Sequence, residues 1–589
     1  MKTNGLSDIQ FAKLNELLNE LTENQMIWLS GYLEGRLSSG VKGTLTENRI
    51  IDEPKNHVAN LTIIYGTETG NCQVLSEKMA EKALFKNIEV TIYNMYEYDV
   101  TNLAKEQNVA VIVSTHGEGE LPEMSNDFYE YISNPKTETL ENLSFSVLAL
   151  GDKTYKHFCK AGEDIYNAFK SLGAFNLVPL AKCDLDYELN AEIWMNTFLA
   201  NVNTSDSEVL CENEIDEPQR DYSRSNPFKA KVLNKVKLSG DQSEKEVFHV
   251  ELSVDNSGLT YEPGDAVGIF TKNPVLLVNK IIESTDFDPE QRVFIKEGRV
   301  TLKDALTNYL EITVLTYDLV NKYFEHTRNT ELKKLLDDDV LLDEYLFGRD
   351  VLDLFNDYPY EWNANKFVEI LRSLPPRLYS ISSSQEKVGE QIHATISLVR
   401  YERDNRYREG ACTSHIANDI KIGDYLPIYI DKNPSFKLPE DNAAIIMVGT
   451  GTGIAPYRGF MQQRESQGYK GYSWLFFGDR SRDADFLYKE EWEKLMEEEC
   501  LERMDVAFSR DQKEKIYVQH KLIENQEEIF EWIENGAHFY LCGDIRHMAK
   551  DVNKTLLEII QTQGGVDAGQ AEKYVKMLKR EKRFQIDVY

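Results

Sequence analysis

Apolar residues recur along this chain in two rhythms. Between residues 60 and 200, the apolar runs LTIIYG (61–66), VTIYN (90–94), VAVIVST (109–115) and FSVLALGD (145–152) alternate with stretches of helical spacing. Strands alternating with helices predict a doubly wound parallel sheet, with ligands at the C-terminal ends of the strands. The rhythm returns near residue 440 in AIIMV (444–448), YSWLFFGDR (472–480), ERMDVAFSR (502–510) and HFYLCGD (538–544), the last opening a helix at Ile545. Between these two regions the period shortens to strict alternation. FKAKVLNKVKL, EVFHVELSV, YEPGDAVGIF (261–270), PRLYSISS (376–383) and ATISLVRYE (394–402) read as strands of an antiparallel barrel. Residues 275–365, rich in leucine and acids, predict an all-helical insertion between barrel strands.

Two stretches fall outside these rhythms. In residues 1–59, Phe11, Leu14, Leu18 and Leu21 follow helical spacing, and Thr22 with Gln25 can cap a second helix running through Trp28, Tyr32 and Leu33. Two short amphipathic helices bury little alone, so they are expected to pack on the body or on another subunit. Residues 201–226 hold seven acids, one proline and little apolar periodicity, which is the composition of a flexible linker. The expected division is therefore 1–59, 60–200, 201–226, 227–438 and 439–589.

Composition narrows the chemistry. The 589 residues carry a net charge of −33, which argues against nucleic acid and anionic membrane as partners. No run of about 20 apolar residues occurs, and MKTNGLSDIQ is not a secretory pattern. The seven cysteines never form CxxC or a Cys/His metal pattern, as expected of reduced thiols in the cytoplasm. With no metal site visible, any redox chemistry must come from organic cofactors.

Three loops leave the ends of the first set of strands. Thr67, Glu68, Thr69, Gly70, Asn71 and Cys72 open a helix with hydroxyls and amides suited to a single phosphate. Ser114, Thr115, His116 and Gly117 form a second loop, and Leu150, Gly151 and Asp152 through Tyr155, Phe158 and Cys159 a third. This constellation resembles flavodoxin, and specifically the FMN domain of the diflavin reductases. The resemblance implies that Tyr155 stacks on the FMN ring. His116 is a departure, because some members place an aromatic ring there. Acids around Glu118, Glu120, Glu123 and Asp127, and Asp184, Asp186 and Glu188, either steer a basic partner or form a solvated face.

In the middle region, Arg377 can neutralise a pyrophosphate, Tyr379 offers a ring face and Ser380 a hydroxyl, with Leu378 between them. Gly410, Ala411, Cys412 and Thr413 open a helix as a second anion cradle. Together these motifs resemble the FAD site of the ferredoxin–NADP reductase family. That resemblance also brings in Thr313, Thr395, Ile396, Ser397 and Tyr401 as FAD contacts, with Tyr401 on the adenine side and Thr413 at the pyrophosphate.

In the last region, AIIMVGTGTGIAP (444–456) is a strand, a Gly-rich turn holding Gly451 and Thr452, and a helix start, the arrangement that presents backbone N–H groups to a phosphate. Ser509, Arg510, Lys515 and Tyr517 follow a strand end and suit a 2′-phosphate, favouring NADPH over NADH. Ile516, Val518, Gln519 and Asp551 are expected in the same site. By resemblance, Cys542 lies beside the nicotinamide, Tyr589 covers the FAD ring, and Asp587 assists hydride transfer near Ser380. From the residues alone, Cys542 also reads as a buried structural thiol.

The resemblance to diflavin reductases runs from end to end. Within that family it extends to the branch whose members feed a sulfite-reducing haemoprotein, through LTENQMIWLSGYLEGRL, DQKEKIYVQ, HFYLCGD and RFQIDVY. It implies FMN, FAD and NADPH as cofactors and an electron path from NADPH to FAD, then singly to FMN. The implied partner is a separate haemoprotein (beta) component carrying sirohaem and an iron–sulfur cluster, with homo-oligomerisation through the N-terminal segment. The alternative within the family is a general NADPH reductase for another haem acceptor. A non-catalytic flavin sensor would not need every one of these motifs.

Overall fold

The computed structural model describes residues 59–117, 119–202, 222–545 and 547–588. The helices expected within 1–59, residues 203–221 of the linker, Glu118 and Tyr589 lie outside the described residues.

The first parallel sheet contains β1 (Asn60–Gly66), β2 (Glu89–Asn94), β3 (Asn108–Ser114), β4 (Ser144–Leu150), β5 (Phe175–Asn176) and β6 (Ala181–Cys183). The strand order is β2-β1-β3-β4-β5, and β6 also pairs with β4. Both faces are covered, so successive residues of one strand enter different cores. Ile63, Ala110, Ile112 and Leu148 pack with residues of α1 (Asn71–Phe85) and α4 (Glu188–Val202). Ile64, Val109, Val111 and Val147 pack with residues of α2 (Asn126–Ser133) and α3 (Lys160–Ser171). This double burial is why the strands read as continuous apolar runs.

The antiparallel sheet contains β7 (Phe228–Lys237), β8 (Val247–Ser253), β9 (Ala266–Ile269), β12 (Arg377–Ser380), β13 (Gln391–Ser397) and β16 (Tyr425–Asp431), ordered β12-β9-β16-β7-β8-β13. Its edges meet through a bridge between Ile381 and Ala394, so the sheet curls toward closure. Phe248, Val250 and Leu252 of β8 fill the interior. His249 and Glu251 alternate with them on the other face.

Between β9 and β12 the insertion is not all-helical. It includes an antiparallel hairpin, β10 (Arg292–Ile295) with β11 (Gly298–Thr301), as well as six helices of seven to eleven residues. The alternating sequence RVFIKEGRVT, with its Glu-Gly turn, carries that signal. The run 394–402 also divides. The sheet strand β13 ends at Ser397, and β14 (Arg400–Arg403) turns back on β15 (Arg406–Glu409) as a separate hairpin.

The last sheet is parallel, ordered β19-β18-β17-β20-β21: β17 (Ile445–Thr450), β18 (Ser473–Asp479), β19 (Arg503–Phe508), β20 (His538–Gly543) and β21 (Phe584–Val588). The Gly-rich turn after β17 is one 3₁₀ turn, Gly451–Ile454, leading into α5 (Ala455–Ser466). The helix after β20 starts at Met548 rather than Ile545, as α6 (Met548–Gly564), and α7 (Ala568–Arg580) precedes β21. Among the described residues, no helix is long and apolar enough to cross a membrane.

Candidate functional site

At the end of β1 the chain turns through Thr67, whose Oγ1 accepts from the Gly70 amide at 3.0 Å. Gly70 sits at φ 86°, a conformation that favours glycine, and α1 begins at the next residue. Cys72 is buried below, its thiol pushed up to about 12 by burial against hydrogen bonds to Thr67 and Ser114. Asn71 leans back on Thr69, and Glu68 accepts from the Glu123 amide at 2.7 Å, tying the first loop to the second. Thr115 binds the start of α3 through Ala161 at 3.3 Å, and His116 closes a tight loop with Glu120 around Gly117. The Leu150 carbonyl accepts from Thr115 and the Gly151 amide donates to Cys183, so the three loops share one edge of the sheet. A Cβ on Gly151 would lie 2.9 Å from the Cys159 amide. Asp152 caps Thr154, Tyr155 stands 46% exposed above the loop, and Phe158 lies 5.5 Å from the Lys153 ammonium. A glycine-walled phosphate turn with an exposed ring beside it fits FMN.

In the antiparallel sheet, Arg377 at the start of β12 donates one arm to buried Glu311 at 2.6 Å and another to the Pro375 carbonyl. Glu311 also accepts from the Thr313 amide and hydroxyl at 2.8 and 2.6 Å. Burial would raise the Glu311 carboxyl, but Arg377 and the Thr313 hydroxyl hold it below its ordinary value. Arg377 therefore offers a pyrophosphate less than its full guanidinium. No local pattern announces Glu311, which lies 66 residues earlier in the chain. Leu378 points outward, while Tyr379 lies against Cys412, and burial raises both groups. Gly410 precedes the turn Ala411–Ser414, where Thr413 Oγ1 accepts from the Val399 amide at 3.1 Å. A Cβ on Gly410 would press to 2.9 Å from that hydroxyl. Tyr401 is 39% exposed on the neighbouring hairpin. The Thr395 hydroxyl is engaged by Tyr488 at 2.6 Å and Ile396 is fully buried, so β13 offers a ligand chiefly main chain and Ser397. An arginine, a ring and a glycine-opened turn on one sheet fit FAD.

Where this sheet meets the last one, three expected residues converge. Ser380 Oγ donates to Asp587 Oδ2 at 2.8 Å, and Cys542 Sγ lies 3.8 Å from the same oxygen. Cys542 and Asp587 are register partners on β20 and β21. Burial raises the Asp587 carboxyl, opposed by the hydrogen bonds from Ser380 and Cys542. Gly453 packs so tightly here that a Cβ would stand 2.3 Å from the Cys542 carbonyl oxygen.

Gly451, at φ 55°, has room beside its α-carbon, with only Asp479 Oδ2 and the Lys245 ammonium, both 3.7 Å away, near where a Cβ would be. Asp479 Oδ2 is buried without a hydrogen-bond partner, although Oδ1 holds Lys245 at 2.5 Å. Thr452 continues this turn. The Ser509 amide donates to the Asp479 carbonyl and the Arg510 amide to the Arg480 carbonyl, which sets two arginines side by side. Lys515 and Tyr517 are exposed, Ile516 packs on the core, Val518 is buried and Gln519 donates to Asp551 at 3.1 Å. An open glycine turn flanked by cations fits the phosphates of NADPH. Lys245, Arg480 and Glu244 are not legible from sequence, because the first and third arrive from the β7–β8 hairpin more than 200 residues away.

The acidic loops around the phosphate turn contact the rest of the molecule. Glu123 pairs with Lys579, Lys156 with Asp339, Asp186 with Lys296 at 3.0 Å and Asp152 with Arg372 at 3.5 Å.

Family comparisons agree with this layout. Residues 63–194 match the flavodoxin family, 220–415 the FAD binding domain and 447–554 the oxidoreductase NAD-binding domain. Fold and site thus define an NADPH-dependent oxidoreductase with two flavins, FMN in the flavodoxin part and FAD in the antiparallel part. The chain is similar to the sulfite reductase [NADPH] flavoprotein alpha-component of Bacillus subtilis, at 43% identity over 98% of both chains. It is 38% identical to the one from Shewanella oneidensis over 99% of this chain and 98% of that one. The Vibrio parahaemolyticus protein is 37% identical over 99% and 95% respectively. The chain belongs to the sulfite reductase NADPH flavoprotein alpha-component family.

Proposed function

We propose that this chain supplies electrons to a separate sulfite-reducing haemoprotein, drawing them from NADPH through FAD and FMN. The observation that carries the reading is the junction at which Ser380 of the FAD sheet, Cys542 and Asp587 of the nucleotide sheet share one carboxylate oxygen. Near-full-length likeness to relatives named as sulfite reductase components supports the choice of acceptor.

When bound, NADPH supplies a hydride and the two flavins turn that electron pair into single-electron steps. The chain's own residues bind, orient and shield. Asp587 Oδ2 accepts the Ser380 hydrogen bond, fixing the hydroxyl's direction, and the buried Cys542 thiol lies against the same oxygen. The open turn at Gly451, with Arg510, Lys515 and Tyr517, holds the phosphates of the dinucleotide. Arg377, steadied by Glu311, and Thr413 are the residues that would hold the FAD pyrophosphate, and Tyr379 and Tyr401 those that would hold its ring systems. Thr67–Cys72 would hold the FMN phosphate, and the exposed Tyr155 would supply a ring face for its flavin. In this reading the haemoprotein carries sirohaem and an iron–sulfur cluster, the pair works in the cytoplasm, and residues 1–59 mediate homo-oligomerisation.

The test is NADPH-dependent sulfide production by the flavin-loaded protein mixed with its haemoprotein, beside reduction of an artificial acceptor. Sulfide is expected. Acceptor reduction without sulfide would remove the sulfite role, and failure of both with flavins bound would remove the catalytic reading. Unchanged mass by light scattering after deletion of residues 1–55 would remove the oligomerisation claim.

A further inference from the structure

The β7–β8 hairpin of the FAD sheet crosses onto the nucleotide half and is pinned there. Gly240 N–H donates to the Ala484 carbonyl at 2.7 Å, the Ser243 hydroxyl bonds Asp485, and Lys245 pairs with Asp479. The pinning presents Glu244 to the paired arginines. Its Oε2 lies 3.0 Å from Arg480 and 2.7 Å from Arg510, so one carboxylate oxygen bridges two guanidiniums.

We propose that Glu244 is a resident counter-ion of the dinucleotide site that tempers its affinity for a 2′-phosphate, which must displace it, and leaves a 2′-hydroxyl ligand unaffected. The inference rests on the reading of Arg510 as a 2′-phosphate ligand. A single carboxylate leaves the arginine pair with one uncompensated positive charge. A phosphate monoester carries about −1.5 to −2 at neutral pH and offers three acceptor oxygens, so it outcompetes the carboxylate on charge and geometry. A ribose hydroxyl brings no charge and gains nothing by opening the ion pairs. The Glu244 side chain is 66% exposed, which makes the pairs exchangeable, and the carboxylate has open solvent into which to swing. Glu244 thus lowers the affinity of the cradle for anions, the 2′-phosphate included.

The experiment is calorimetric titration of the flavin-loaded protein with 2′,5′-ADP and with 5′-AMP, comparing wild type, Glu244→Gln, Glu246→Gln and Arg510→Ala. Glu246 belongs to the same hairpin but pairs with Arg400, so its variant controls for net charge. Glu244→Gln is expected to tighten 2′,5′-ADP by about two- to fivefold, leaving 5′-AMP unchanged, while Glu246→Gln changes neither. An unchanged or weakened 2′,5′-ADP affinity in Glu244→Gln, or equal tightening of 5′-AMP, overturns the proposal. Should Arg510→Ala bind 2′,5′-ADP like wild type, the underlying site reading falls and the proposal with it. Weakening in Arg510→Ala with no response in Glu244→Gln removes the Glu244 role alone.

Discussion

The Ser380 hydroxyl and the Asp587 carboxylate, 207 residues apart in sequence, meet at 2.8 Å and join the edge of the FAD sheet to the edge of the nucleotide sheet. Removing the carboxylate with Asp587→Ala frees the Ser380 hydroxyl and the Cys542 thiol of their shared acceptor. Flavin reduction by NADPH, followed by stopped-flow absorbance, is expected to slow by about 10²-fold, with FAD content unchanged. A rate within a factor of about two of wild type would show that the carboxylate contributes no more than a weak polar contact.

Glu311 is buried and serves Arg377 and Thr313 at once. Glu311→Ala leaves a largely buried guanidinium unmatched and is expected to cost about 3 kcal/mol, with partial loss of FAD during gel filtration. Its folded pKa is lowered, so its stabilisation is complete above the ordinary glutamate value of 4.5 and is lost as pH falls through the lower folded value. Urea titrations at two pH values, read beside bound FAD absorbance, check both statements.

Four ion pairs fasten the acidic loops of the FMN part to Lys579, Asp339, Lys296 and Arg372. All include exposed or half-exposed groups and are open to screening. Raising ionic strength toward about 1 M shortens the screening length to about 3 Å and is expected to loosen this contact, seen as a larger radius in X-ray scattering. Lys579→Glu should shift that transition to lower salt. A salt-independent radius in both proteins would mean that packing, such as Gly70 against Pro434, holds the contact alone.

His249 and His393 face each other behind β8 and β13, with Arg458 donating to His393 at 3.2 Å and Tyr488 bonded to His249 at 2.9 Å. Burial first, then nearby positive charge, lowers His249 to about 4 and His393 to about 3 from an ordinary 6.5. The unfolded chain therefore binds more protons in this window. Each histidine is expected to remove stability as pH falls from 6.5 toward 4, with a slope near 1.4 kcal/mol per pH unit. His393→Asn keeps an acceptor for Arg458 and should flatten the slope by about one proton's worth in denaturant titrations. An unaltered slope would contradict the assignment.

What the sequence made legible is local. The turns after β1 and β17 show themselves because a strand, glycines and a helix start follow one another within a dozen residues. Ser380, Cys542 and Asp587 were nameable only through resemblance, since their meeting depends on how two sheets abut. Glu311, Lys245 and Glu244 escaped because each reaches its partner from a distant segment whose own pattern reads as ordinary surface. The β10–β11 hairpin was hidden for another reason: its flanks are so rich in leucine and acids that helical periodicity dominates the window. His249 alternates with the core residues of β8, yet it is buried because Tyr488 of the nucleotide half bonds to it.

Strands β9 and β12 pair although the whole insertion separates them, which bears on how the chain folds. Closing so long a loop is costly in entropy before any sheet contact repays it. The insertion offsets this by folding on its own core around Tyr323, Leu354 and Phe367, and by bringing its ends together where Asn273 bonds Leu306 and Leu310 and where Leu374 bonds Tyr309. It acts as a template for the flavin sheet, so a cavity in that distant core should delay assembly of a site it never touches.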